Sequence, residues 1–212
     1  MREDATKVTD IFPSALFSLS TEEQRVSIAV YRLLAGGRPV TLERISSTTN
    51  LSQQAVQEIM KPWPGVYYDN SGRIVGYWGL ALAKMHHGFE VNSEALYTWC
   101  AWDGLFIPAI LKSTARITSA CPVTGEEIRL TVAPDRFEKS SSSSIFMSFI
   151  TPEQSELREN VILNFCHYVY FFTSAQTAVK WSSEHQGTFI LSLDEAFNLG
   201  QEKNKLQYPD IL

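Results

Sequence analysis

Between residues 20 and 78 the chain is punctuated so closely that few folds can accommodate it. Ser20 and Glu23 have capping-box spacing, and Val26, Val30, Leu33 and Leu34 form an apolar stripe behind them, which predicts a helix ended by Gly36 and Gly37. Thr41 is placed to cap a second short helix carrying Leu42 and Ile45. Asn50-Leu51-Ser52 makes a tight turn whose serine caps a third helix reaching about Met60, stopped by Pro62 and Pro64. The run VYYDNSGRIVGYW then places a turn at 69–72 between two β-prone segments, which predicts a hairpin. Three short helices and a hairpin make the pattern of a winged helix-turn-helix. We therefore divide the chain into a winged-helix-like part at 1–80, with 1–19 as an extension, and a second part at 81–212.

A DNA-binding role would need a basic recognition helix. The third helix, SQQAVQEIMK, offers one lysine and one glutamate, and although Gln53, Gln54 and Gln57 could read bases, phosphate contacts supply most of the affinity. The formal net charge of -5 points the same way, so nucleic acid is not an expected partner and the winged part reads as a scaffold. The longest apolar stretch, residues 74–83, is interrupted by glycines and far shorter than a membrane span. The N-terminus carries two early acids and a proline within its short apolar run, a poor signal peptide, so the expected location is the cytoplasm.

From residue 81 the pattern changes. A short strand is expected at 89–91, followed by a helix over EALYTWCAWDGLFIPAIL, capped by Asn92 or Ser93 and bent or ended by Pro108. Strands are expected at 115–119 and 128–132, joined by CPVTGEE, with further strands at 145–150, 165–172 and 189–191. A flexible serine loop is expected at 140–144, a helix at 175–184, and a last helix from Leu193 under a second capping box, Ser192 with Glu195. The expected fold class is α+β: the winged helix-turn-helix-like part followed by a mostly antiparallel β-sheet core with flanking helices.

The chain has three cysteines, Cys100, Cys121 and Cys166, widely spaced and without a CxxC, which supports neither a disulfide framework nor a structural zinc site. Cys100 and Asp103 are three residues apart; on a helix they would share a face, so that a thiol that binds soft metals would meet a carboxyl that can carry a proton. If NFCHYVYFF is a strand, Cys166 and His167 face opposite sides and do not serve one site. A histidine partner for a cysteine would then come from His86, His87 or His185, of which His86-His87 reads as a solvated loop. Cys121, at a strand end before Pro122, reads as structural.

Several separated segments carry a resemblance. LYTWCAWDGLFIPAIL followed by TARITSACPVTGEEIRLTV resembles the core of the organomercurial (alkylmercury) lyases, and NFCHYVYFF, WSSEHQG, DEAFNLGQEKNKL, RPVTLERI and DNSGRIVGY match the same family in order, through most of residues 20–206. The resemblance implies protonolysis of the carbon–mercury bond in alkyl- and arylmercury compounds, giving Hg(II) and a hydrocarbon. It implies a catalytic set of Cys100, Asp103 and Cys166, which would also hold the Hg(II) product, and a structural Cys121. It implies no cofactor. The partners it implies are an organomercurial substrate, cytosolic thiols and hand-off to a mercuric reductase. The chain departs from the family at Cys166-His167, where two adjacent cysteines are the pattern; the first of that pair carries the role. Trp99, Trp102, Phe165 and Phe172 are candidates to line a pocket for the organic group, with core packing as the competing role of at least half of them. Two alternatives need no bond cleavage: a winged-helix regulator sensing soft metals through its cysteines, and a mercury-binding protein.

Overall fold

A computed structural model describes Thr9 and residues 18–139, 144–151 and 154–212, so most of the 1–19 extension and all but Ser144 of the serine loop lie outside the described residues. The first three helices lie where their caps put them. Helix α1 spans Thr21–Leu34 behind a complete Ser20/Glu23 capping box, α2 spans Leu42–Thr49 with Thr41 accepting from the Arg44 N–H, and α3 spans Gln53–Met60 with Ser52 accepting from the Ala55 N–H. Asn50 ends α2 in the left-handed region, at φ 59°. Strands β1 (Val66–Tyr68) and β2 (Ile74–Tyr77) form the expected hairpin, tied by Asp69, whose carboxylate accepts from the Ser71 and Arg73 N–H groups.

The hairpin does not stand alone. Strand β2 pairs with β3 (Leu80–Ala81), and β3 pairs with β5 (Glu94–Thr98), which lies beside β4 (His87–Val91). The antiparallel ladder continues through β6 (Ala115–Ala120), β7 (Glu127–Val132) and β8 (Phe137–Lys139). The result is one eight-stranded sheet in the order β1-β2-β3-β5-β4-β6-β7-β8. A second sheet of three strands, β10-β9-β11, uses β9 (Phe146–Ile150), β10 (Phe171–Phe172) and β11 (Thr188–Ser192), again antiparallel. Helix α4 (Asp103–Leu111) packs against α7 (Leu193–Gln207), and α6 (Ala175–Ser183) lies on the second sheet.

Two expected elements fail, both at the candidate site. The helix expected from residue 94 begins only at Asp103. Asn92 and Ser93 do not cap it; at φ 51° and 65° they form the two-residue turn of the β4–β5 hairpin, with Val91 opposite Glu94. The β-prone run Leu96-Tyr97-Thr98 then continues as strand. Pro108 does not end α4, which runs on to Leu111 and closes on a left-handed Lys112. The strand expected at 165–172 is also mostly absent. Helix α5 (Gln154–Asn164), which was not expected, is followed by a single 3₁₀ turn at Cys166–Tyr168, and only Phe171–Phe172 is strand. A β-prone run this short does not by itself separate strand from turn.

Because Ser93 carries a side chain in a left-handed turn that favours glycine, Ser93→Gly should stabilise the protein by about 0.5–1 kcal/mol. Urea unfolding measures it; a lower midpoint in the variant would show that this turn is not strained by its side chain.

Candidate active site

Eight of the nine residues of α4 are buried, so this is a core helix rather than an amphipathic one. Its first residue, Asp103, is drawn inside with the rest. Its Oδ2 accepts the N–H of Cys100 at 2.8 Å, which closes the four-residue turn that leads into the helix. The thiol and carboxylate therefore converge, but through this turn rather than along one helix face. Thr98 Oγ1 donates to the Cys100 carbonyl at 2.9 Å, and Trp102 Nε1 donates to the carbonyl of Ala196 on α7 at 2.9 Å.

Cys166 arrives from the other side. Ser148, fully buried in β9, donates its hydroxyl to the Tyr168 carbonyl at 2.7 Å and accepts the Tyr170 N–H at 3.1 Å. The N–H of Ala101 donates to the carbonyl of Val169 at 3.2 Å, which joins the segment bearing Cys166 to the one bearing Cys100. The two sulfurs and a carboxylate oxygen of Asp103 then lie within 4.8 Å of one another. Among the described residues this is the one group of three such side chains close enough to share a metal ion. The set is nearly closed to solvent, with Cys100 0%, Cys166 4% and Asp103 6% exposed.

Burial governs the acid–base behaviour. Desolvation pushes the Asp103 carboxyl up to about 6, against the lowering effect of hydrogen bonds from the Cys100 backbone and side chain and of the charge on Lys203. Cys100 is raised well above the ordinary thiol value by burial, by its hydrogen bond with Cys166 and by the neighbouring carboxylate. Cys166 is raised by burial and by Asp103, while its contact with Cys100 works the other way. The two thiols of the resting site therefore hold their protons, and a soft cation that binds thiolate draws them off.

The histidines do not join the set. His87 is buried in β4, with Nδ1 2.8 Å from Ser119 Oγ, and burial followed by the charge of His86 lowers it to about 3, so it is neutral. The solvated-loop reading therefore holds for exposed His86 and fails for His87. His185 stacks on Trp181 at 3.7 Å, and His167 is exposed beside its buried neighbour. His167 is thus turned away from Cys166, although by a 3₁₀ turn rather than by strand alternation. Cys121 is buried apart from the site; burial works to raise its thiol, but hydrogen bonds from Thr124, Val123 and Thr173 outweigh it and hold the thiol below its ordinary value. Of the four aromatic candidates, Phe172 is fully buried against Trp181, and Trp102 is locked to α7 while contacting Phe165 and Phe149 edge-on.

Five residues at or around the site escaped sequence reasoning. Gly79, at φ 100° in the two-residue β2–β3 loop, lies so close to Asp103 that an added Cβ would fall 2.5 Å from its Cγ. Its partner in the loop, Trp78, has φ 33°, which is costly for a bulky residue, and its carbonyl accepts from Tyr31 Oη at 2.6 Å. Tyr67, on β1, meets Trp99 edge-on at 5.2 Å, and burial and then Cys166 raise its phenol. Ser148 and Lys203 are the others. Only Gly79 left a local signal, a glycine between two β-prone pairs.

A buried carboxyl between two thiols, in an antiparallel α+β core joined to a helix-turn-helix, defines a class of protein built to take a soft cation and move a proton beside it. Comparison with known proteins makes the class specific. The sequence model of the alkylmercury lyase family matches residues 80–204, and that of the helix-turn-helix domain of alkylmercury lyase matches residues 18–78. The chain is 39% identical over 173 residues to an alkylmercury lyase of Pseudomonas putida, covering 82% of this chain and 80% of that one. It is 38% identical over 170 residues to an alkylmercury lyase of Staphylococcus epidermidis, covering 80% and 77%. Its fold matches the crystal structure of the mercury-bound form of MerB2 with a TM-score of 0.76 at 24% identity, over 95% of this chain and 98% of that one. The chain belongs to the alkylmercury lyase family.

The Asp103 shift carries a stability consequence. Its folded value, about 6, lies above the unfolded one, so the folded state binds the extra proton and stability falls as pH rises between about 4 and about 6. Asp103→Asn removes that loss. Its stability relative to the parent should therefore climb across this interval by on the order of 2–3 kcal/mol and stay high above it. Urea unfolding of both proteins across the interval measures the gap; a gap that does not change with pH would show that Asp103 ionises normally.

Proposed function

We propose that the chain is an organomercurial lyase in which Cys100 and Cys166 take the mercury and Asp103 carries the proton. The observation that carries this reading is the closeness of two sulfurs and a carboxylate in a nearly dry site. Mercury is soft and prefers sulfur to any other ligand a protein offers. The carbon–mercury bond is inert in water, so a catalyst must load electron density onto the metal and protonate the departing carbon.

The order of steps follows from the environment of each group. An organomercurial arrives as its adduct with a small thiol. One protein thiol replaces that ligand, passing its proton to the leaving thiolate. The Asp103 carboxylate takes the proton of the second protein thiol, and this sulfur adds to mercury. Asp103, now a carboxylic acid, delivers the proton to carbon; the electron pair of the carbon–mercury bond forms the new carbon–hydrogen bond, and the hydrocarbon leaves. Hg(II) remains on two sulfurs with Asp103 again a carboxylate. Two external thiols exchange onto the metal and return their protons to the cysteines. A carboxyl near 6 takes up and gives back a proton readily around neutrality, where an ordinary aspartate would seldom hold one to deliver.

The thiol exchange at both ends places the reaction in a thiol-rich compartment, the cytoplasm, and the released Hg(II) suits direct hand-off to a mercuric reductase. The division into a winged part at 1–80 and a catalytic part at 81–212 fits this function, with the wing supplying Tyr67 and Gly79 at the edge of the site. We assign Trp99, which meets Tyr67 edge-on, and Phe165, next to Cys166 in the chain, as the rings that receive the organic group.

Cys100→Ser and Cys166→Ser should each reduce hydrocarbon release by about a thousandfold or more with far-UV circular dichroism unchanged, and Asp103→Ala should still retain mercury while slowing release by about a hundredfold. Gas chromatography of the headspace, with excess thiol present, measures this. Full activity in either serine variant would overturn the assignment; mercury bound by the parent without hydrocarbon would leave a binding protein.

A further inference from the structure

Asp103 and Lys203 are the only carboxylate and the only lysine or arginine buried among the described residues. They sit on the two helices that pack against each other, α4 and α7. The contact is close: an added Cβ at Gly200 would fall 2.9 Å from Phe106 Cβ, and Asn204 Nδ2 donates to the Phe106 carbonyl at 2.9 Å. Between these two contacts Lys203, 5% exposed, sends its Nζ over the ring of Phe106, 3.9 Å from the centroid. Phe106 lies one turn after Asp103 on the same face of α4.

Lys203 is poorly satisfied by its immediate surroundings. Its one hydrogen bond, to Asn204 Oδ1, is 3.4 Å long, and it forms no ion pair within 4.0 Å among the described residues. One turn on, Gln207 Oε1 is a buried acceptor without a partner, and Lys203 does not turn to it. A buried lysine normally gains direct ion pairs and hydrogen bonds or gives up its charge. Here its ammonium lies over the Phe106 ring of α4, with the Tyr208 ring farther off at 5.6 Å, and burial lowers Lys203 to about 7 while the charge on Asp103 works to raise it.

The chemistry proposed above explains what a lone cation would do there. One negative charge stays in the closed site throughout. It begins on the Asp103 carboxylate, passes to the complex of two thiolates with the organomercury cation when Asp103 takes the proton, and returns to Asp103 when the hydrocarbon leaves. Resting on that proposed reaction, we infer that Lys203 is a positioning residue for protonolysis, a buried counter-cation under α4 that offsets the single negative charge of the site as it moves between carboxylate and thiolate–mercury complex. It touches neither substrate nor metal and acts through the field at Asp103 and the sulfurs.

The test compares Lys203→Met and Lys203→Arg with the parent, using phenylmercury with excess thiol and measuring benzene release. Lys203→Met should lower kcat by about tenfold with KM within about threefold of the parent, because the charge is needed for the chemical step and not for capture. Its thermal midpoint should hold or rise, since a methionine removes a buried charge at similar volume. Lys203→Arg, which keeps the charge, should recover most of kcat. Parental kcat in Lys203→Met would overturn the inference. So would equally low kcat in Lys203→Arg with an unchanged thermal midpoint, because that would assign the loss to shape rather than charge. Benzene release by the parent serves as the control on the underlying reaction: without it the proposed lyase activity itself fails, whatever the variants do.

Discussion

The hydrogen bond from the Cys100 N–H to the Asp103 carboxylate is the contact on which the rest of the site depends. It ends the run of chain leaving β5, starts a helix buried on nearly every side, and fixes a carboxylate beside a sulfur in one step. An ionised carboxylate at that depth would cost several kcal/mol without partners, and its partners here are few. The surrounding packing is therefore arranged around it. Gly79 is a glycine because any side chain would occupy the carboxylate's place, and Trp78 accepts a strained backbone to deliver it. The same constraint explains why Asp103 is a weaker acid than usual: the field that would ionise it is incomplete by construction.

The second sulfur is brought in by ordinary secondary-structure bonding. Ser148 bridges the backbone on both sides of Val169, and the Ala101–Val169 bond stitches the two cysteine-bearing segments together. These contacts belong to β9 and the loop before β10, far from Cys100 in sequence. The site thus forms only when both sheets and α4 are in place, which makes folding of the core and assembly of the reactive set one event.

Much of the fold was legible in the residues. Capping boxes at Ser20 and Ser192, and single caps at Thr41 and Ser52, gave four helix starts to the residue, because a side chain accepting a backbone N–H is a local event. The failures share one cause. Asn92-Ser93 has the composition of a helix cap and of a tight hairpin turn, and only the pairing of β4 with β5 decides between them. NFCHYVYFF is β-prone over most of its length, yet Cys166–Tyr168 turns, and Ser148 on another strand holds the Tyr168 carbonyl. The site residues Cys100, Asp103 and Cys166 were named from family resemblance. Spacing alone proposed the first two, by a helix that is not there, and nothing local linked either to Cys166. Lys203 could not be seen as buried in the charged run QEKNK, since its neighbours Glu202 and Lys205 do not share its depth.

The central claim is that a proton from Asp103, ultimately exchanged with solvent, replaces mercury on carbon while both sulfurs retain the metal. A single turnover with a simple alkylmercury thiol adduct in D₂O tests it most directly. The account predicts a hydrocarbon carrying one deuterium and one Hg(II) retained per chain, with no retention in a variant lacking both Cys100 and Cys166. Unlabelled hydrocarbon, a coupled product of two organic groups, or mercury held equally well without the two cysteines would contradict it.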